Sequence, residues 1–248
     1  MPTTPTDAPA AYDFCERTQM LFGTEAMQRL RTSHVCVFGI GGVGGYATEV
    51  LARSGVGELT LIDADDVTLS NLNRQIIALR STIGRKKTEV MARRIADINP
   101  DCIVHVVNKF YLPGQETYID WEKFDYVADC IDTVAAKIDI ARQCSLRHIP
   151  LISSMGAANK LDATAFRVCD LFRTKMDPLA KVLRKKLREA GIGSLKTICS
   201  EEPPRPATLV AADGKRIPAS NAFVPAAAGL VLGGEIVKDL IASAVPAS

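Results

Sequence analysis

Apolar and polar positions change period several times along this chain, and each change marks an element. Val35, Val37 and Phe38 form a short, partly β-branched apolar run, which predicts a strand buried on both faces of a parallel sheet. A glycine turn and a helix over residues 43–54 follow, then a second strand over 59–62. Val90, Met91, Ile95 and Ile98 share one face of a helix over 86–98, stopped by Asn99-Pro100. Strands are predicted over 102–107, 126–129 and 150–153, with a helix over 133–147 between the last two. Pro113-Gly114 breaks the chain before a short helix near 116–122. Upstream, residues 12–30 are predicted as two helical pieces broken near Gly23. Strand and helix alternate at the spacing of a doubly wound parallel sheet.

Past Ser153 the rhythm is different. Residues 165–169 alternate weakly, as in an antiparallel strand. Asp177-Pro178 is a cap and first-turn pair opening a helix to residue 190, closed by Gly191. Its apolar face is Leu179, Val182, Leu183 and Leu187. Another strand is expected over 196–199, then a proline-bearing loop over 199–206 that includes Cys199. Residues 209–217 suggest a hairpin turning at Asp213-Gly214, and 223–241 a closing apolar helix. The expected fold is α/β: a Rossmann-like, mostly parallel, doubly wound sheet extended by antiparallel strands, with a C-terminal helix. The expected organisation is a disordered tail over 1–11 and a single domain over 12–248. That domain divides into a nucleotide-binding half, 12–154, and a substrate-binding half, 155–248.

Composition narrows the function only a little. The 248 residues carry 30 basic and 28 acidic groups, a net charge of +2 that by itself implies neither nucleic acid nor an anionic membrane. Seven scattered cysteines with no C-x-x-C indicate neither a paired-cysteine zinc site nor a disulfide framework. The first ten residues lack the basic start and apolar core of a signal peptide, and residues 223–236 are too short and glycine-broken to span a bilayer. A reduced, cytoplasmic setting is expected.

The candidate chemistry gathers at the carboxyl ends of the strands, where such sheets bind ligands. Gly39, Gly41 and Gly44 give G-x-G-x-x-G, with Gly42 inside it, so that backbone N–H groups at a helix start can approach a phosphate. Asp63 ends the second strand, placed for a ribose hydroxyl. Just downstream lie Asp65, Asn71, Asn73, Arg74 and Gln75, and Arg74 offers a planar fork of donors to a phosphate. Lys87 closes Gly84-Arg85-Lys86-Lys87, and Asp129 and Asp132 follow the fourth strand, where a carboxylate suits Mg²⁺. Taken singly, Arg74 and Lys87 read as solvated charges and Asp132 as a helix cap. Hydride transfer to a nicotinamide requires none of these cations, whereas cleaving a triphosphate requires several as pyrophosphate leaves.

Together, G-I-G-G-V-G-G, Asp63, N-L-N-R-Q, G-R-K-K and D-C-I-D-T resemble the adenylating superfamily of ubiquitin-activating, ThiF, MoeB and HesA proteins. The resemblance covers about residues 12–154. It implies that Asp63 holds ribose, Arg74 and Lys87 contact phosphates, and Asp132 binds Mg²⁺. It also implies a homodimer in which Arg17 reaches the partner's site. Two positions depart from the usual pattern: Thr133 replaces an asparagine, and Gly45 a serine or cysteine.

The later stretches P-L-I-S-S-M-G-A-A-N-K, D-P-L-A and T-I-C-S-E resemble the tRNA threonylcarbamoyladenosine dehydratase branch. That resemblance implies ATP-dependent adenylation of the threonyl carboxylate in N6-threonylcarbamoyladenosine, next to the anticodon, then cyclisation with net loss of water. It implies ATP and Mg²⁺, a monovalent cation without a nameable ligand, tRNA as partner, and room for sulfur-transfer proteins. Lys181, Arg184, Lys185 and Arg188 form a basic helix face with two open readings: a grip on tRNA phosphates, or a solvated surface. Lys160 and Lys175 are expected to extend that surface. Cys199 is expected near the site without acting as a nucleophile, and no catalytic role is given to His34, His105 or His148. The alternatives are adenylation of a sulfur-carrier protein's C-terminal glycine, an NAD-dependent oxidoreductase, and a silent binding module.

Overall fold

The computed structural model describes residues 14–114, 116–206 and 218–243. The expected tail over 1–11 and hairpin over 209–217 lie outside the described residues. In chain order the elements are α1 (Glu16–Phe22), α2 (Thr24–Arg31), β1 (His34–Phe38), α3 (Gly44–Arg53), β2 (Glu58–Ile62), α4 (Lys87–Ile98) and β3 (Ile103–Val107). There follow β4 (Tyr126–Asp129), α5 (Val134–Arg147), β5 (Leu151–Ser154), β6 (Phe166–Asp170), α6 (Pro178–Glu189), β7 (Lys196–Ser200) and α7 (Val224–Ala242). The strands form one sheet in the order β3-β2-β1-β4-β5-β7-β6, parallel except where β6 runs antiparallel to β7. This is the expected fold class. The chain winds outward from β1 to β3, then restarts at β4 on the other side of β1. The carboxyl ends of β1 and β4 are therefore the switch point at which such sheets open a crevice.

Three apolar clusters fix the layers. On one face α3 and α7 cover the sheet, with Leu51, Leu59, Leu61, Leu232 and Ile236 buried. The glycines that interrupt α7 have a packing reason: a Cβ at Gly229 would lie 2.3 Å from the Val43 carbonyl oxygen, and one at Gly233 would lie 2.8 Å from Val50. They let two helices approach at backbone distance. On the other face α5 packs with Cys36, Phe38, Val127, Trp121 and Phe124. Beneath α6 a third cluster gathers Leu183, Leu187, Met155 and Cys199.

Two segments differ from expectation. The short helix near 116–122 is a pair of 3₁₀ turns, Glu116–Tyr118 and Trp121–Lys123. A segment this short cannot nucleate an α-helix, and burial of Trp121, stacked at 5.7 Å on Phe38, sets its path instead. Cys199 is not in a loop. The ladder with β6 pairs Arg167 with Cys199 and Phe166 with Ser200, so β7 continues through it and buries it.

Candidate active site

The crevice is built first by the glycine turn after β1. Gly39 takes a φ of +86°, which a side chain would strain, and a Cβ at Gly44 would meet the Gly39 carbonyl oxygen at 1.8 Å. Gly44 therefore seats α3 against its own strand, while Gly39, Gly41 and Gly42 face the cavity. Asp63, at the end of β2, ties down this turn: its Oδ2 accepts from the Ile40 N–H at 2.7 Å and its Oδ1 from the Asp65 N–H at 2.9 Å. Carboxylate oxygens accept more than one bond, so ribose recognition is not blocked.

The loop after β2 is locked to the start of α4. Lys87 is buried, with its Nζ on Asp65 Oδ2 at 2.7 Å, and Lys86 meets Asp66 at 2.8 Å. The Asn71 side chain closes a capping box by accepting from the Thr68 N–H at 3.1 Å. Asn73 donates to the Ser220 carbonyl and accepts from Arg74, whose guanidinium also reaches the Ser70 carbonyl at 2.9 Å. Gln75 is buried in the wall, and its Oε1 has no hydrogen-bond partner. Asp65, Ser70, Asn71, Asn73, Arg74, Gln75 and Lys87 line one cavity of about 780 Å³, together with Asp132 and Met155–Ala158.

The two aspartates after β4 have different fates. Asp129 is fully buried, with Oδ2 accepting from Lys137 Nζ at 2.9 Å and from Ser153 Oγ at 2.6 Å. Lys137 also donates to Ser153 Oγ and to the Ser154 carbonyl, so its three ammonium protons are all placed. Asp129 is thereby committed to the scaffold rather than available to a metal. Asp132 is exposed at the rim. The helix begins at Val134, and the Thr133 cap position carries no side-chain bond, so Asp132 is not used up as a cap.

Sequence reasoning missed Lys137 and Lys109. Lys137 falls in the inward stripe Val134, Lys137, Ile138, Ala141, and a cation in such a stripe signals a buried partner. Lys109 follows β3 at its carboxyl end and lines the cavity, a position the same end-of-strand rule covers.

The second half supplies the opposite wall through Asp177. Its Oδ1 caps α6 at the Ala180 N–H, 2.8 Å, and its Oδ2 accepts from the Gly156 N–H at 3.0 Å. Lys160 does not extend a surface: it is buried, with Nζ donating to the Glu202 carbonyl at 2.6 Å. On α6, Arg184 donates to the Thr174 carbonyl at 2.9 Å and Arg188 stacks over Phe172 at 5.2 Å, while Lys181 and Lys185 are exposed. Arg17 is exposed on α1 and does not line this cavity. Cys199 and Cys130 fit no nucleophilic role. Burial, with the Asp177 carboxylate adding to it, pushes Cys199 up to about 12, and burial beside Asp129 does the same to Cys130.

Comparison with known proteins gives the family and the fold. The ThiF family model matches residues 15–241. The tRNA threonylcarbamoyladenosine dehydratase of Bacillus subtilis (strain 168) is 46% identical over 242 residues, covering 91% of this chain and 93% of that protein. The crystal structure of the Escherichia coli tRNA N6-threonylcarbamoyladenosine dehydratase with AMP superposes with a TM-score of 0.84 at 39% identity, covering 92% of this chain and 94% of that one. The same enzyme with ATP gives 0.82 at 38% identity, covering 92% and 93%.

Proposed function

The chain belongs to the ThiF family, and we propose that it dehydrates N6-threonylcarbamoyladenosine in tRNA in a reaction driven by ATP. The observation that carries this is the convergence of Asp63, Arg74, Lys87 and Asp132 on a single cavity whose far wall belongs to the second half of the chain. ATP fits the near side, with ribose at Asp63 and phosphates at the glycine turn. There the α3 N-terminus offers free N–H groups. Lys87 and Arg74 offset the charge that develops as pyrophosphate leaves.

The threonyl carboxylate attacks the α-phosphorus to give an acyl-adenylate and pyrophosphate. The carbamoyl oxygen then attacks the activated carbonyl, AMP departs, the carbamoyl N–H proton is released to solvent, and the ring closes. The nucleophile belongs to the substrate, which agrees with the buried, high-pKa Cys199. Asp132 fits Mg²⁺, because an exposed, uncapped carboxylate beside phosphates is the donor set that ion takes. Bound there, Mg²⁺ neutralises phosphate charge. A monovalent cation belongs to the same proposal without an assigned ligand.

The exposed Lys181 and Lys185 on α6 contact tRNA phosphates in this reading, while Arg184 and Arg188 hold the helix in place. A homodimer is proposed in which Arg17 acts on the partner's site. Mixing Arg17→Ala with Asp132→Ala then restores about a quarter of the sites by reassortment, and no rescue contradicts the trans role. The setting is cytoplasmic, and sulfur-transfer proteins remain candidate partners. No helix among the described residues is long and apolar enough to cross a membrane. AMP formation tests the reading directly: it should require threonylcarbamoylated tRNA. AMP formed equally with unmodified tRNA would count against it.

A further inference from the structure

The face of the sheet that buries Cys36, Phe38 and Ile62 begins with a polar island at the amino-terminal ends of β1, β2 and β3. The nucleotide crevice opens at the other ends of these strands. The register pairs His34 with Glu58 and Thr60 with His105, which places all four side chains on one face. Two of the chain's three histidines meet here.

One ligand atom from each of His34, Glu58 and His105 lies within 4.8 Å of the others. His34 Nδ1 is 3.4 Å from Glu58 Oε1, and His105 Nε2 is 2.7 Å from the same oxygen. A tetrahedral zinc ion with arms of about 2.0–2.2 Å has ligand–ligand edges of about 3.3 Å. The first separation already matches that edge, and the half-exposed His105 needs only a small retreat. His34 is the fixed anchor. Its side chain is 8% exposed, its ring meets Phe124 edge-on at 5.0 Å, and its Nε2 lies 2.8 Å from Thr60 Oγ1. A second partner on the far ring nitrogen is what orients a metal-binding histidine. Neighbouring charges are already matched: Asp125 pairs with Arg29, and Lys123 with Asp120.

We propose that His34, Glu58 and His105 bind a zinc-class divalent cation, with water in the open fourth position. The ion clips the amino-terminal ends of three parallel strands and takes no part in the chemistry of the crevice.

The test is a Co²⁺ titration of the full chain, stripped of metal and free of nucleotide, followed by displacement with Zn²⁺. One equivalent should give the visible absorption of tetrahedral Co²⁺, lost on adding zinc. His105→Ala and Glu58→Gln should each weaken binding more than tenfold. Both variants should keep the wild-type circular dichroism and ATP–pyrophosphate exchange, which separates loss of the site from loss of the fold. A wild-type chain that binds no Co²⁺ or Zn²⁺ overturns the proposal. Binding unchanged in both variants places the metal elsewhere and overturns it as well. Loss in only one variant overturns the three-ligand set.

Discussion

The two halves of the molecule hold their side of the crevice by different means. In the first half, many of the ties stay within 22 residues, Lys87 to Asp65, Asn71 to Thr68, Arg74 to Ser70 and Asn73, although Asn73 also reaches across to the Ser220 carbonyl. In the second half three bonds span 42 to 61 residues, Lys160 to Glu202, Asn221 to the Lys160 carbonyl, and Asn159 to Ala219, beside the shorter tie of Asp177 to Gly156. The first wall is a set of short motifs, and the second is assembled by the fold. In the proposed reaction, adenylation then depends mostly on the first wall and acceptor choice on the second.

This contrast can be broken by substitution. Asp132→Ala touches only the exposed rim and should lower ATP–pyrophosphate exchange by about 10²-fold or more, with the unfolding midpoint unchanged. Normal exchange in the folded variant would remove the metal assignment. Lys137→Ala should act on stability instead. It strands the Asp129 carboxylate in the interior at a cost of about 3–5 kcal/mol, read from urea unfolding. A loss under 1 kcal/mol would show that Asp129 finds another partner.

Asp177→Ala removes the α6 cap and the Gly156 tether, at about 1–2 kcal/mol for the cap. The apparent KM for modified tRNA should rise while the KM for ATP holds. Equal changes in both would show that the two walls are not separable. The smallest effect is expected from Cys199→Ala, since a buried thiol held near 12 is protonated at neutral pH. Dehydratase activity should stay within about twofold, and a complete loss would restore an enzyme-thioester route.

The same contrast explains what was legible in the sequence. The strand–turn–helix pattern is local, and the rule that such sheets bind ligands at the carboxyl ends of their strands places Gly39, Asp63, Arg74, Lys87 and Asp132 at one crevice. Lys137, on α5, was not legible, because its meaning depends on Asp129 and Ser153 arriving from β4 and β5. Cys199 was misplaced for a related reason: only the antiparallel partner β6 shows that β7 runs on through Ser200. Lys160 reads as a surface charge until the 159–161 segment closes on Glu202. The prolines over 203–206 suggested a loop correctly, but not what the loop buries.

The central claim is that the second wall accepts a modified tRNA nucleoside. Its most direct test is mass spectrometry of nucleosides from threonylcarbamoylated tRNA incubated with the protein, ATP and Mg²⁺. Loss of the mass of one water from the modified adenosine, only when ATP is present, is the predicted result. An unchanged nucleoside, from a preparation that catalyses pyrophosphate exchange on the C-terminal glycine of a sulfur-carrier protein, would contradict it.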